Sequence, residues 1–485
     1  MRRLLPAAAT VVGVAVALRV AYDAWYLNYD ARYVLLWAPY APRGLTPDYE
    51  APFAPTPHPL STAWSVLALP FGQGGDALIV WFVLLSFGAL VYLAYRLGAE
   101  LFSPAVGAVT AVVVLTRPVM ERDALLGYQD VPFAVLIVLA ALLEARRPRR
   151  GAPVLALLAV AGLLRPEAWA LGGLYWLYLF PSRAWPQRVR LAGLVVAAPL
   201  LWALMDVLVT GDALHSLHGT VDLARTADRR REVSQVPYWT AKYFGSTLRA
   251  PLVIGVPLGL AFAWRHRARF GRAAALPLAV AAIMTAVFAI NPFFGLPLIG
   301  RYVRTPSVFL ALFFGLAVAG WSLLGEGRER KVWQAVGAVA VLGFFVFAPA
   351  NAEMLRGLHK RFHRDGKVYA DLRAAGRAER VRAAARACGP ILAADHRPVP
   401  YLRYWLSGDP GSVGTVESGA RSRVLLLPRR TVRNRLFYGA AFPRVSPPPG
   451  AQRVYQNRSW RVFAAPDCRR LSSKSRMATA GRQSI

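Results

Sequence analysis

The chain has 485 residues, of which 56% are hydrophobic, and 58 Lys and Arg against 26 Asp and Glu give a formal net charge of +32. A soluble chain is about 45–50% apolar even on a count that includes Gly; here the excess lies in runs of roughly 13–22 residues, the longer of which can cross a hydrocarbon core, so a soluble globular protein is excluded. A nucleic-acid binder is excluded too: the basic residues gather between apolar runs and in the tail, as the positive-inside rule distributes them, and no zinc-finger spacing is present.

The opening stretch MRRLLPAAATVVGVAVALRVAYDAW places two Arg before an apolar run and has no small-x-small cleavage site before Tyr22. It reads as a retained first helix that begins in the cytoplasm. Spans are expected near 4–22, 78–97, 104–119, 131–145, 152–164, 168–180, 190–209, 249–264, 273–290, 303–324 and 332–349. Odd parity then puts the N-terminus inside and the C-terminus outside. The inner loops hold Arg146, Arg147, Arg149 and Arg150, then Arg183, Arg188 and Arg190, then Arg265, Arg267, Arg269 and Arg272, then Arg328, Arg330 and Lys331. The outer loops 23–77, 120–130, 210–248 and 291–302 hold most of the acids. This sidedness follows the positive-inside rule over four successive inner loops.

The runs 152–164 and 168–180 have only 13 residues each, fewer than the ~17–25 of a full crossing. Two short helices meeting at Arg165-Pro166-Glu167 keep both flanking basic loops inside. Non-helical backbone at that depth is tolerated where protein buries it or a wet cavity lines it. After Ala350 the pattern changes to an amphipathic helical stretch, VYADLRAAGRAERVRAAARA, and short strand-like runs, PILAA, RVLLLP and SWRVFAA. That predicts a small extracytoplasmic α/β domain over 351–468, followed by a disordered basic tail over 469–485. Cys388 precedes its first strand and Cys468 follows its last. In an oxidising compartment a disulfide there would tie the domain's ends; two free thiols are the alternative.

The residues able to carry chemistry lie mostly on the outer side. Asp30, in LNYDARYVLLW, would share a helical face with Tyr33 and could act as a general base or bind a cation; the alternative is an N-cap for a helix over 31–38. His58, in APTPHPLST, is held extended by its prolines and could orient a substrate or simply make a turn. Asp130, just before Val131-Pro132, is either a helix cap or a second outward acid. Arg165 and Glu167, at a break between membrane helices, form a structural pair or a substrate clamp. His215 and His218 have zinc-like spacing but no third ligand nearby. Arg301 and Arg304, in GRYVRTP, are spaced i,i+3; they either hold a phosphate near the outer headgroups or snorkel to the interface.

Taken in order, YDARYVLLW…PTPHPLST, GYQDVPF, LAGLLRPEAW and RYVRTP resemble the GT-C superfamily of membrane glycosyltransferases, which includes protein mannosyltransferases and lipid A aminoarabinose transferases. The resemblance covers residues 1 to about 350. It implies a mostly α fold: a polytopic bundle of about 11 spans over 1–350, with the first outer loop over 23–77, and a small C-terminal α/β domain. It implies a hexosyl or pentosyl transferase that takes sugar from a polyprenyl-phosphate carrier and inverts the anomeric carbon. Asp30 would be the base and Asp130 a second acid. Arg301, Arg304 and Arg165 would hold the departing phosphate, with Glu167, His58 and Tyr33 also lining the substrate site. Many members of the superfamily carry adjacent acids in the first loop; here Asp30 is followed by Ala31, so no metal site is assigned, although the resemblance leaves room for a divalent cation. The partners implied are a polyprenyl-phosphate-linked donor, an extracytoplasmic glycan, lipid or protein acceptor, and the bilayer, with no nucleic acid. The Arg- and Ala-rich composition points to a bacterial plasma membrane. A transporter or flippase of lipid-linked glycans would show symmetry between halves, and none is visible; a glycan polymerase or ligase would need a long outer loop late in the chain.

Overall fold

The structure is a computed structural model that describes residues 5–406, 410–419, 421–430, 432, 445–466 and 468. The tail over 469–485 lies outside the described residues. The chain folds as two compact units. The first comprises Met1–Asp23, Thr56–Trp64 and Ala77–His359; the second comprises Ala24–Pro55, Ser65–Asp76 and Lys360–Ile485. Most of the first loop, expected from sequence to belong with the helical bundle, thus groups with the C-terminal residues.

In the first unit a helix stands at each expected apolar run, including Leu5–Ala21, Asp130–Arg146, Ala152–Gly162 and Glu167–Leu179. Fewer than the expected eleven are long enough by themselves to be candidate spans. Among the described residues five helices are long and apolar enough to cross a bilayer: Gly75–Leu101, Trp185–Thr210, Arg267–Phe294, Gly300–Leu323 and Arg328–Arg377. Two bent pairs raise the number to seven: Pro104–Leu115 with Pro118–Leu125, at 61°, and Val233–Leu248 with Leu252–Arg265, at 96°. The physical reason is axial rise. Helix Glu167–Leu179, with 13 residues, rises about 20 Å, against the ~30 Å of a hydrocarbon core.

Helix Arg304–Ala319 is buried on nearly every face and forms the centre of this unit. Small residues let its neighbours approach. A Cβ at Gly259, on helix Leu252–Arg265, would stand 1.7 Å from the Phe313 carbonyl oxygen, and one at Gly315 would stand 2.8 Å from that of Val106. Such backbone-to-backbone approach is how membrane helices associate when no hydrophobic drive separates them from lipid.

The second unit is built on a five-stranded sheet of order β2-β1-β3-β5-β4. The strands are β1 (Ile391–Ala393), β2 (Val413–Thr415), β3 (Val424–Pro428), β4 (Gln452–Gln456) and β5 (Trp460–Ala464). β1 runs parallel to both β2 and β3, with Leu392 opposite Gly414 and Leu425. β5 is antiparallel to β3, with Leu426 opposite Val462, and to β4. The continuous apolar reading of β1 and β3 reflects burial on both faces. Helices Glu379–Cys388 and Val399–Leu406 pack on the sheet around Trp460, Tyr401 and Trp405. Cys388 and Cys468 are joined in a disulfide, with Cα atoms 5.5 Å apart. Helix Tyr29–Trp37, from the first loop, belongs to the same unit.

Candidate active site

In the first unit the helix break gathers charge. Pro166 follows Arg165, and Glu167 opens the next helix, whose positive N-terminal end favours an acid. Arg165 Nη2 donates to Glu167 Oε1 at 2.6 Å, and Nε donates to the same carboxylate at 3.2 and 3.3 Å. Its Nη1 donates to Asp130 Oδ1. The guanidinium lies over the Tyr302 ring at 4.5 Å and the Phe133 ring at 5.7 Å. Asp130 therefore turns to Arg165 rather than capping its helix, whose N-cap is Gln129. All three charged side chains are buried. Removing Arg165 would strand two buried carboxylates, a change that costs on the order of 3–5 kcal/mol for one broken pair.

Arg301 and Arg304 lie on either side of a change of helix type. Arg301 sits in the 3-10 turn Gly300–Val303, and Arg304 begins the α-helix that follows. Arg301 lies over the Tyr128 ring at 5.4 Å and acts on the Asp130 carboxylate through space. Arg304 Nε donates to Asp123 Oδ2 at 3.2 Å, and its Nη1 donates to the Thr247 hydroxyl. His58 stands edge-on to Trp202 at 5.3 Å. Two residues on, the Leu60 amide donates to the Leu163 carbonyl at 3.2 Å, which seats this segment beside the helix break. His218 pairs with Asp212 at 2.6 Å, and no group of three His, Cys, Asp or Glu able to hold a metal occurs among the described residues.

Asp30 and Tyr33 lie in the second unit. Asn28 caps their helix, its Oδ1 accepting from the Ala31 amide at 3.1 Å, so Asp30 is not the cap. Asp30 is half-buried in the first turn. Tyr33 is a core residue, with its ring 5.1 Å from Tyr29 and 5.4 Å from Trp37. The rest of the first loop is tied to the sheet residues. Arg32 is buried, pairs with Asp76 at 3.3 Å, and faces Tyr401, Tyr404 and Trp405. Arg403 donates to Asp48 at 2.7 Å, and the Tyr401 hydroxyl donates to the Leu27 carbonyl at 2.7 Å. Burial pushes the Asp395 carboxyl up to about 6. Burial also raises Glu417, but hydrogen bonds and charge from His396 outweigh it and hold that carboxyl below its usual value.

Sequence reasoning missed Asp123, Tyr302, Arg32 and His396. Tyr302 carried a usable signal, since it stands inside the RYVR run that holds both arginines. The partners of Arg32 and His396 are distant in sequence and leave no local trace.

No protein-family model matches the chain, and no curated protein matches it in sequence. Its fold does match a solved one. The crystal structure of ArnT from Cupriavidus metallidurans bound to undecaprenyl phosphate matches with a TM-score of 0.54 and 15% identity, over 94% of this chain and 97% of that one. The apo state of the same protein matches with a TM-score of 0.50 and 15% identity over the same shares. The chain is therefore similar in fold, over nearly its whole length, to ArnT.

Proposed function

We propose that this chain is an integral-membrane glycosyltransferase that moves a hexosyl or pentosyl group from a polyprenyl-phosphate carrier to an acceptor outside the cytoplasm, with inversion. The observation that carries the reading is the fold match along 94% of the chain to a protein solved with undecaprenyl phosphate bound. Asp30 removes the acceptor proton as the sugar's anomeric carbon is attacked, and the carrier phosphate leaves. Charge grows on that phosphate in the transition state, and preplaced cations stabilise it. Arg165 and Arg304 are already paired with carboxylates. Those pairs fix the guanidiniums in place; Arg301 and Arg304 hold the departing phosphate, with Arg165 as helper and Asp130 as the neighbouring acid. His58 lines the substrate path beside the helix break, and Tyr33 supports Asp30 from the core. The basic inner loops and the Arg- and Ala-rich composition support a bacterial plasma membrane, with the N-terminus in the cytoplasm.

The test is sugar transfer in membranes supplied with radiolabelled polyprenyl-phosphate sugars, comparing wild type with Asp30→Asn at matched expression. Loss of transfer by at least about a hundredfold, with donor binding retained, supports the transferase and the base together. Unchanged transfer in Asp30→Asn moves the base to Asp130, and no transfer by wild type from any donor points instead to a transporter of lipid-linked glycans.

A further inference from the structure

In an open α/β sheet, ligands bind outside the carboxyl ends of parallel strands, where the strand order reverses. Here that place is beyond β1, which has β2 on one side and β3 on the other. His396 follows β1 and Glu417 follows β2. Glu417 Oε2 accepts from the His396 amide at 2.8 Å and meets its Nδ1 at 2.7 Å, which fixes the imidazole.

The position is occupied by the chain's own first loop. Phe53 stacks flat on the His396 ring, with centroids 4.4 Å apart and planes 8° apart. Tyr29 meets the same ring edge-on at 5.6 Å and 88°. The Tyr29 hydroxyl donates to the Phe53 carbonyl at 2.9 Å, which closes a three-ring cluster. Phe53 has a φ of 62°, a left-handed conformation that is unfavourable for a non-glycine residue. Such strain persists where the surroundings over-determine it and clusters at functional sites. Tyr29 is the residue directly before Asp30 and begins its helix.

We propose that His396 is a positioning residue: held by Glu417 at the strand ends, its ring grips Tyr29 and Phe53 and so sets the first helical turn that carries Asp30. This rests on the reading of Asp30 as the base. The sheet unit then serves the chemistry through its own loop, with aromatic side chains filling the place a small ligand takes in other α/β sheets.

The full-length protein in membranes is compared with His396→Ala and His396→Phe, using a polyprenyl-phosphate sugar as donor. A small misplacement of a reacting group costs up to about a hundredfold in rate. His396→Ala is expected to lower kcat roughly ten- to a hundredfold with donor KM within about twofold. His396→Phe, which keeps a ring for Tyr29 and Phe53 but loses the Glu417 pair that fixes it, recovers only part of the rate. Amide exchange over residues 29–33 rises in His396→Ala, while β1, β3 and β5 stay protected. If His396→Ala does not fold, Phe53→Leu leaves the His396–Glu417 pair intact and carries the same expectation. Unchanged exchange over 29–33 overturns the proposal outright. Raised exchange with wild-type kcat, in a protein that Asp30→Asn also leaves active, instead overturns the base reading and with it any catalytic role for the grip.

Discussion

Asp395 and Glu417 stand at neighbouring strand ends and are shifted in opposite directions. Burial raises Asp395 from 3.8 to about 6, so between about pH 4 and pH 6 the folded carboxyl keeps a proton that the unfolded chain has lost. Stability attributable to this group therefore falls as pH rises through that window, and the penalty is complete above it. Asp395→Asn keeps an oxygen for the Arg397 amide, which Asp395 Oδ1 accepts at 2.8 Å, and removes the charge. It is expected to stabilise the second unit at pH 7.5 by up to about 3 kcal/mol and to change little at pH 4. Apparent Tm in detergent at the two pH values measures the difference. Equal shifts at both pH values would contradict the burial origin of the raised carboxyl. The His396–Glu417 pair persists in the variant, so the two effects separate.

At the scale of elements, the close crossing of helices Leu252–Arg265 and Arg304–Ala319 depends on Gly259. Its added Cβ would fall inside the van der Waals shell of a backbone oxygen, which no side-chain rotation can relieve. Gly259→Ala must therefore separate the helices and is expected to cost at least about 1–3 kcal/mol, read as a drop in apparent Tm. By contrast Gly193, where an added Cβ would meet nothing within 4 Å, should accept Ala with no such loss. The apolar runs and the break at Arg165-Pro166-Glu167 were legible because hydrophobic length and proline act locally. The strands β1, β3 and β5 were legible for the same reason, whereas β2 and β4 were not: Val413–Thr415 is too short to show a pattern, and Gln452–Gln456 is mostly polar. The functions of single residues were less legible. The i,i+3 spacing of Arg301 and Arg304 also aligns side chains in a 3-10 turn, but spacing alone could not show that Arg304 meets Asp123 and Thr247 while Arg301 lies over Tyr128. Asp30 lost its capping alternative to Asn28, two residues earlier and equally well suited by type.

At the scale of the whole molecule, the disulfide between Cys388 and Cys468 closes a loop with a sequence separation of 80. Chain entropy alone gives such a closure about 4–5 kcal/mol. Cys388→Ser with Cys468→Ser is expected to raise amide exchange across β1, β3 and β5 while leaving helix Arg304–Ala319 protected. Exchange confined to the residues flanking the two cysteines would show that the sheet holds without it. The division into units that are discontinuous in sequence also has a consequence for synthesis. Arg403 meets Asp48 across a separation of 355 residues, and Tyr401 meets Leu27 across 374. At about 5–20 residues per second, the helix bearing Asp30 leaves the ribosome tens of seconds before the partners that fix it. A nascent chain that has already threaded its bundle through the bilayer thus still lacks a held Asp30. On the proposed reading of Asp30 as the base, activity arrives only with the last quarter of the polypeptide, and a prematurely terminated product carries that carboxylate without the partners that hold its helix.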